Sequence, residues 1–300
     1  MIVMPFLDRF TITILLMLTL AGFATPEPEI PMPDHVVVVV LENKGFARIM
    51  DGDSAPFIRS LAERGALFTH SIALGHPSEP NYFALFSGST QGVTDDAFYS
   101  FRMPTLAGTL RSAGRTFIGY AEAGSPRRHS PWESFEDAMG VGRDFSDFPL
   151  DFGSLPTVAF VVPNVDNDMH DGSIQKGDAW LHRWIGPYAD WACTHNSLLI
   201  LTFDEDDGQE NNRITTIFMG PSVKPGRYNQ PIDHLRVLRT IEAMYGLPAL
   251  ARSAASQPIA SVWTSKQGEL VTKAEIPVAQ ATVGCPIAPS ARERPINNNP

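Results

Sequence analysis

The sequence predicts an α/β fold, a mostly parallel sheet with helices on both faces. Three observations predict it. Short, continuous apolar runs recur along the chain, as expected of strands buried on both faces. Amphipathic stretches that stop at glycine lie between them. Acidic, amide and imidazole residues follow the apolar runs, and ligands of open parallel sheets bind at the carboxyl ends of their strands.

In chain order, the first element is not part of the fold. Arg9 precedes an apolar stretch, residues 12–20, which exits through Ala21, Gly22, Phe23 and Ala24. A charged start, a short apolar core and small residues at the exit describe a secretory signal cleaved after Ala24. The run is short for a membrane span, which needs about 20 residues. The expected location is therefore secreted or periplasmic, with no integral membrane segment in the mature chain. Residues 25–263 form one domain, and residues 264–300, poor in apolar positions, form a partly irregular tail.

Within the domain, strands are expected at residues 36–41, 116–121, 157–162, 198–203 and 214–219. Helices are expected at 55–64, 105–113, 178–191 (interrupted at Gly186-Pro187) and 234–245. Thr105 and Asp233 are the expected N-caps, and Gly65, Gly114 and Gly246 the stops. The first strand delivers Glu42 and Asn43, and the second delivers Glu122. The third is followed by Asp166, Asp168, His170 and Asp171, and the fourth by Asp204, Glu205, Asp206 and Asp207. Carboxylates gathered at one sheet edge repel one another unless a cation holds them. A metal site is the economical reading.

Residues 76–82, His-Pro-Ser-Glu-Pro-Asn-Tyr, precede a helical run that ends at Ser87-Gly88. Pro80 suits a first helical turn. Ser78 is thereby placed at a helix N-terminus, where free N–H groups and the helix dipole favour negative charge. Taken alone, Ser78 reads as a plain N-cap, the commoner fate of a serine before a helix; its neighbours His76 and Asn81 keep a nucleophile reading open. No G-x-S-x-G elbow, P-loop, H-E-x-x-H or paired C-x-x-C occurs.

Charge narrows the partners. Lys plus Arg is 23 and Asp plus Glu is 33, a net charge of −10. That balance argues against a stable nucleic-acid partner and against electrostatic attachment to anionic lipid. It leaves open a small phosphate ester in a cation-lined pocket. Cys193 and Cys285 are the only cysteines. In an exported chain they either pair, stapling the tail to the body, or remain two thiols.

HVVVVVLENKGF (35–46), HPSEPNYFALFSGSTQGV (76–93), PNVDNDMHDGS (163–173), HNSLLILTFDEDDG (195–208) and DHLRVLRTIEAMYGLP (233–248) together resemble the phosphoesterase family of acid phosphatases and phospholipases C, within the alkaline phosphatase superfamily. So do residues 55–70 and 177–181, and the matches cover most of residues 35–260 in the family's order. The resemblance implies an alkaline-phosphatase-like three-layer sandwich for residues 25–263. It implies Ser78 as nucleophile and metal ligand, with Glu42, Asn43, Asp204 and Glu205 as further metal ligands. His170 and His234 correspond to phosphate-side histidines, although His234 also suits a helix start with no task. Asn43, His76, Asn81 and Asp171 are expected around the substrate, and Asp168 beside His170 and Asp171. Related chains often carry cysteines near positions 166 and 172, where this chain has Asp166 and Gly172.

The activity implied is that of an exported, metal-dependent acid phosphatase acting on phosphomonoesters through a phosphoserine. A phospholipase C or other phosphodiesterase is the alternative. A non-catalytic cation-dependent binding protein is a third reading, from another class. Oxygen ligands suit Mg, Ca or Mn; Zn or Fe becomes the expectation if imidazoles join. Asp206 and Asp207 are expected at the surface, and Glu122 as a satisfied polar group. His129, with the remaining histidines, is given a structural or surface reading. Trp132, Trp180, Trp184 and Trp191 are expected in the core.

Overall fold

The computed structural model describes residues 29–264 and Cys285. The expected signal segment, 1–24, and nearly all of the expected tail lie outside the described residues.

The chain runs β1 (His35–Leu41), α1 (Phe46–Met50), α2 (Pro56–Arg64), β2 (Ala66–Ile72), α3 (Ser78–Ser87), α4 (Leu106–Ser112) and β3 (Phe117–Ala121). It continues with β4 (Gly142–Asp144), β5 (Val158–Val162), α5 (Ile174–Trp184), α6 (Gly186–Ala192), β6 (Ser197–Phe203), β7 (Arg213–Met219), β8 (Gly226–Tyr228) and α7 (His234–Met244). Eight strands form one sheet in the order β4-β3-β5-β1-β6-β7-β2-β8. Only β7 runs against its neighbours; every other pairing is parallel. The predicted mostly parallel α/β sandwich is what the chain forms.

The unbroken apolar run of β1 has a direct cause. Val36, Val38 and Val40 pack with Tyr82, Phe83 and Phe86 of α3 and Val237, Leu238 and Ile241 of α7. Val37, Val39 and Leu41 face the other way, toward Ile49 of α1, Ile58 and Leu61 of α2, and Leu181 and Tyr188 of α5 and α6. Alternate side chains of a strand point to opposite faces, so both sets must be apolar in a central strand. Full burial of one such side chain contributes about 1.5–3 kcal/mol.

The helix ends follow the predicted chemistry. Thr105 Oγ1 accepts from Gly108 N at 3.1 Å, and Asp233 Oδ1 from Arg236 N at 2.8 Å. The helix expected over 178–191 is two helices, α5 beginning at the Ser173 cap and α6 restarting at Gly186. Three strands escape the sequence reading. β2 follows α2 after one residue, Gly65, where any Cβ would lie 2.4 Å from Phe218 O, and Thr69 and His70 break its apolar run. β4 and β8 are three-residue edge strands, too short to carry a pattern. Trp184, expected in the core, is 43% exposed.

Cys193 and Cys285 form a disulfide across 92 residues. Of the two readings, the staple holds. Cys193 lies just before β6, at the sheet edge opposite the strand carboxyl ends.

Candidate active site

Parallel register builds the site. Leu41 pairs with Phe203, so the residues that follow, Glu42 and Asp204, emerge side by side from β1 and β6. Asp204 N donates to Leu41 O at 2.9 Å, and Glu42 N to Asp168 O, in the loop after β5, at 2.8 Å. Asn43 turns the chain away with φ 52°, a left-handed value that asparagine tolerates better than most residues. Its N–H donates to Asp204 Oδ1 at 3.1 Å.

Ser78 opens α3 at the same edge. Its hydroxyl donates to Glu42 Oε2 at 3.0 Å. The loop that delivers it is held by Asn81, whose Oδ1 accepts from Leu74 N at 3.0 Å. Asn81 Nδ2 donates to Gly75 O, Pro77 O and Glu205 Oε2. The Asn81 side chain is thus spent on shaping the loop. Tyr82 donates to the other Glu42 oxygen, Oε1.

The histidines divide differently from the sequence reading. His129, set aside as structural or surface, is fully buried at the centre. Its Nε2 lies 3.3 Å from Glu42 Oε1 and its Nδ1 3.3 Å from Asp168 Oδ2. Tyr82 stacks on it at 5.4 Å between ring centroids. Its ring is 6.1 Å from that of His170, which is half-buried and contacts Asp171 Oδ1 through Nδ1 at 2.7 Å. His234 is buried and contacts the carbonyl of Phe203, the residue before Asp204, through Nε2 at 2.9 Å. His76 bridges Glu205 and Asp206, each at 3.1 Å. Asp206, expected at the surface, is buried. Its carboxylate accepts from the N–H groups of Gly208, Glu210 and Asn212 and so folds the loop after β6. Asp207 pairs with Arg48.

The carboxyls at this edge are crowded and buried, and burial opposes their charged forms. Burial pushes Glu42 well above the usual carboxylate range, and the charges of Asp204 and Asp168 push it further. Burial raises Asp204 also, takes Asp168 to about 7 and Glu205 to about 9. Burial lowers His129 to about 3. Asn43 Oδ1, Asp204 Oδ2 and Asp168 Oδ2 are buried acceptors with no donor, and neither ring nitrogen of His129 has a hydrogen bond. Orphaned buried acceptors cost about 1–3 kcal/mol each, more when charged. Glu42, His129 and Asp168 offer ligand atoms within 4.8 Å of one another. Glu42, His129 and Asp168 could therefore hold a divalent cation, and Asn43 Oδ1 and Asp204 Oδ2 are buried acceptors beside them. Glu205 stands at the margin, its oxygens already engaged by His76 and Asn81.

The loop after β5 has no local cysteine pair, yet it is tied down. Glu122 accepts from Asn164 N, Asn167 Nδ2 and Trp180 Nε1. Lys44 donates to Asn43 O at 3.1 Å and Met169 O at 2.6 Å, clamping the β1 and β5 loops together.

His129 is the main residue that the sequence reading missed. It lies in a 3-10 turn, Arg127–His129, with no periodicity to flag it. The signal was its place after β3, the same strand-end position that singled out the other groups.

Comparisons with known proteins find both sequence relatives and similar folds. The model of the Phosphoesterase family matches residues 49–248. A phosphatidylinositol-3-phosphatase of Mycobacterium tuberculosis is 47% identical over 251 residues, covering 78% of this chain and 84% of that protein. An acid phosphatase of Aspergillus fumigatus is 28% identical over 243 residues, covering 69% of this chain and 54% of its own length. Among solved structures, an alkaline phosphatase superfamily protein from Vibrio parahaemolyticus aligns with TM-score 0.56 at 14% identity, covering 78% of this chain and 72% of that one. A lipoteichoic acid synthase from Listeria monocytogenes aligns with TM-score 0.57 at 10% identity, covering 73% of each chain. These two likenesses are of fold.

Proposed function

The chain belongs to the phosphoesterase family and is a phosphate-ester hydrolase; from that premise we propose that it is an exported, cation-dependent phosphomonoesterase with Ser78 as nucleophile. The observation that carries the reading is the contact of Ser78 Oγ with Glu42 Oε2 at 3.0 Å, among buried acceptors that lack donors. The relatives named above, a phosphatidylinositol-3-phosphatase and an acid phosphatase, support a monoester rather than a diester substrate. Export rests on the sequence of residues 1–24.

Ser78 Oγ attacks phosphorus, the P–O bond to the leaving alcohol breaks, and the phosphoryl group is carried on the serine until water releases it. Glu42 Oε2 is the acceptor in place for the Ser78 proton. Ser78 opens α3, where the positive end of the helix dipole favours the charge that develops on the serine oxygen. A bound divalent cation would act as a Lewis acid on the phosphoryl oxygens and lower the hydroxyl pKa. His170, half-buried beside Asp171, is placed to protonate the leaving oxygen or to hold a phosphoryl oxygen.

The test is acid quenching of the purified protein with radiolabelled phosphate ester, followed by peptide mapping. Label on the Ser78 peptide, lost with chelator and restored by one divalent cation, is the expected result. Turnover without serine-bound label would replace this reading by direct attack of water.

A further inference from the structure

Buried Glu79 and partly buried Arg127 form an ion pair that the chemistry above does not use. Glu79 directly follows Ser78, and its side chain is 1% exposed. Arg127 stands two positions before His129. Its Nη1 and Nη2 donate to Glu79 Oε1 and Oε2, a two-point fork. The same guanidinium donates to Ser134 Oγ at 3.2 Å, Asp96 O at 3.2 Å and Ala97 O at 3.0 Å. One side chain thus gathers the first turn of α3, the turn that carries His129, and the 95–98 loop, whose Phe98 ring lies 5.3 Å from the guanidinium carbon.

The two elements tied by this pair each present one group to the same carboxylate. Ser78 Oγ meets Glu42 Oε2 at 3.0 Å, and His129 Nε2 lies 3.3 Å from Glu42 Oε1. Ser78, Glu42, His129, Arg127 and Glu79 therefore close a ring, made partly of contacts and partly of short stretches of chain. A ring of this kind fixes a separation that no single contact in it fixes.

We propose that Arg127, acting through Glu79, is a positioning residue that sets where Ser78 and His129 stand across Glu42. The proposal rests on the reading of Ser78 as nucleophile. Lysine would keep the charge but not the fork, because an ammonium is a point donor on a flexible stem. A nucleophile displaced by about 1 Å loses up to about 100-fold in rate.

The experiment compares wild type, Arg127→Lys, Arg127→Met and the double variant Glu79→Gln/Arg127→Met on p-nitrophenyl phosphate, with kcat, KM and melting temperature measured for each. Removing both charges leaves no unpaired ion in the interior, so the double variant regains thermal stability relative to Arg127→Met alone. The expected result is a kcat lower by about 10–100-fold in both Arg127→Lys and the double variant, with KM within about 2-fold of wild type. A double variant that recovers kcat along with stability overturns the proposal, because the pair then serves folding alone. If the double variant does not fold, Arg127→Lys decides: wild-type kcat overturns the proposal, and reduced kcat at unchanged melting temperature upholds it. A wild type inactive on every ester and cation overturns the Ser78 reading and this proposal with it. An active wild type whose Arg127→Lys variant keeps its kcat overturns this proposal alone.

Discussion

Ser78 and Glu42 are 36 positions apart in sequence and 3.0 Å apart in space. Two devices bring them together: β1 ends at Leu41 so that the buried Glu42 is the first residue beyond the strand, and Asn81 ties back the loop ahead of α3. Because Tyr82 occupies Glu42 Oε1, the serine hydroxyl meets Oε2. Ser78→Ala is expected to lower kcat on a phosphomonoester by at least about 1000-fold. Its melting temperature should fall by only a few degrees, since one hydrogen bond contributes about 1 kcal/mol. Steady-state kinetics with circular dichroism checks this, and a folded variant that keeps a tenth of wild-type activity would falsify the assignment.

The raised carboxyls give the cation-free protein a signed pH dependence. With Asp168 at about 7 and Glu205 at about 9, the folded chain holds protons that the unfolded chain has already released. Stability must then fall as pH rises through this interval. His129, held at about 3, works in the opposite sense, but only below its ordinary value of 6.5. The window to read is therefore from about pH 6.5 to about 9. In chelator, melting temperature should decline across it. Adding a divalent cation, which replaces those protons, should raise the melting temperature more at the alkaline end. Scanning fluorimetry at the two ends decides; a cation effect equal at both, or larger at the lower pH, sinks the idea.

His129 sits between Glu42 and Asp168, whereas Asp171 is largely exposed beside His170. His129→Gln is expected to lower kcat by about 100-fold, within the range for loss of an acid–base or orienting imidazole. Asp171→Asn, a change at an exposed side chain, is expected to cost less than about 0.5 kcal/mol of stability and only a few-fold in kcat. Parallel kinetics on the two variants ranks them, and the reverse order would move the site's centre to His170.

Much of this edge was legible in the sequence because a buried parallel strand has an unmistakable composition and its next residue must face the edge. That logic places Glu42, Asn43 and Asp204 without any contact being known. It fails where the backbone is irregular. His129 occupies a 3-10 turn, and β2 is broken by polar Thr69 and His70. Asp206 reads as part of an acidic surface run. It is buried because three backbone N–H groups converge on its carboxylate, a convergence set by the loop and invisible in the residue string. Asn81, expected at the substrate, also has a structural task that the residue string does not show: it bonds Leu74 N, Gly75 O and Pro77 O of its own loop and Glu205 Oε2.

The segment in which related chains often carry cysteines supplies the last prediction. A Cβ placed on Gly172 would lie 1.8 Å from Asp166 O and 2.7 Å from its carbonyl carbon. Both atoms are backbone, so no rotamer relieves the overlap. The loop is closed from within as well, since Asp171 N and Gly172 N both donate to Val165 O, at 2.8 and 3.3 Å. Crowding against backbone thus leaves no room for a side chain at 172. Gly172→Ala must push residues 166–172 apart, at a cost of about 1–3 kcal/mol. The same displacement moves Asp168, whose carbonyl accepts from Glu42 N at 2.8 Å, so kcat should drop by about 10-fold or more. Gly52→Ala, where the added methyl meets only Arg48 O at 3.7 Å, is the matched control and should change neither quantity. Thermal melts and kinetics on the pair test this: if Gly172→Ala behaves like Gly52→Ala, the loop has slack and its closure does not position Asp168.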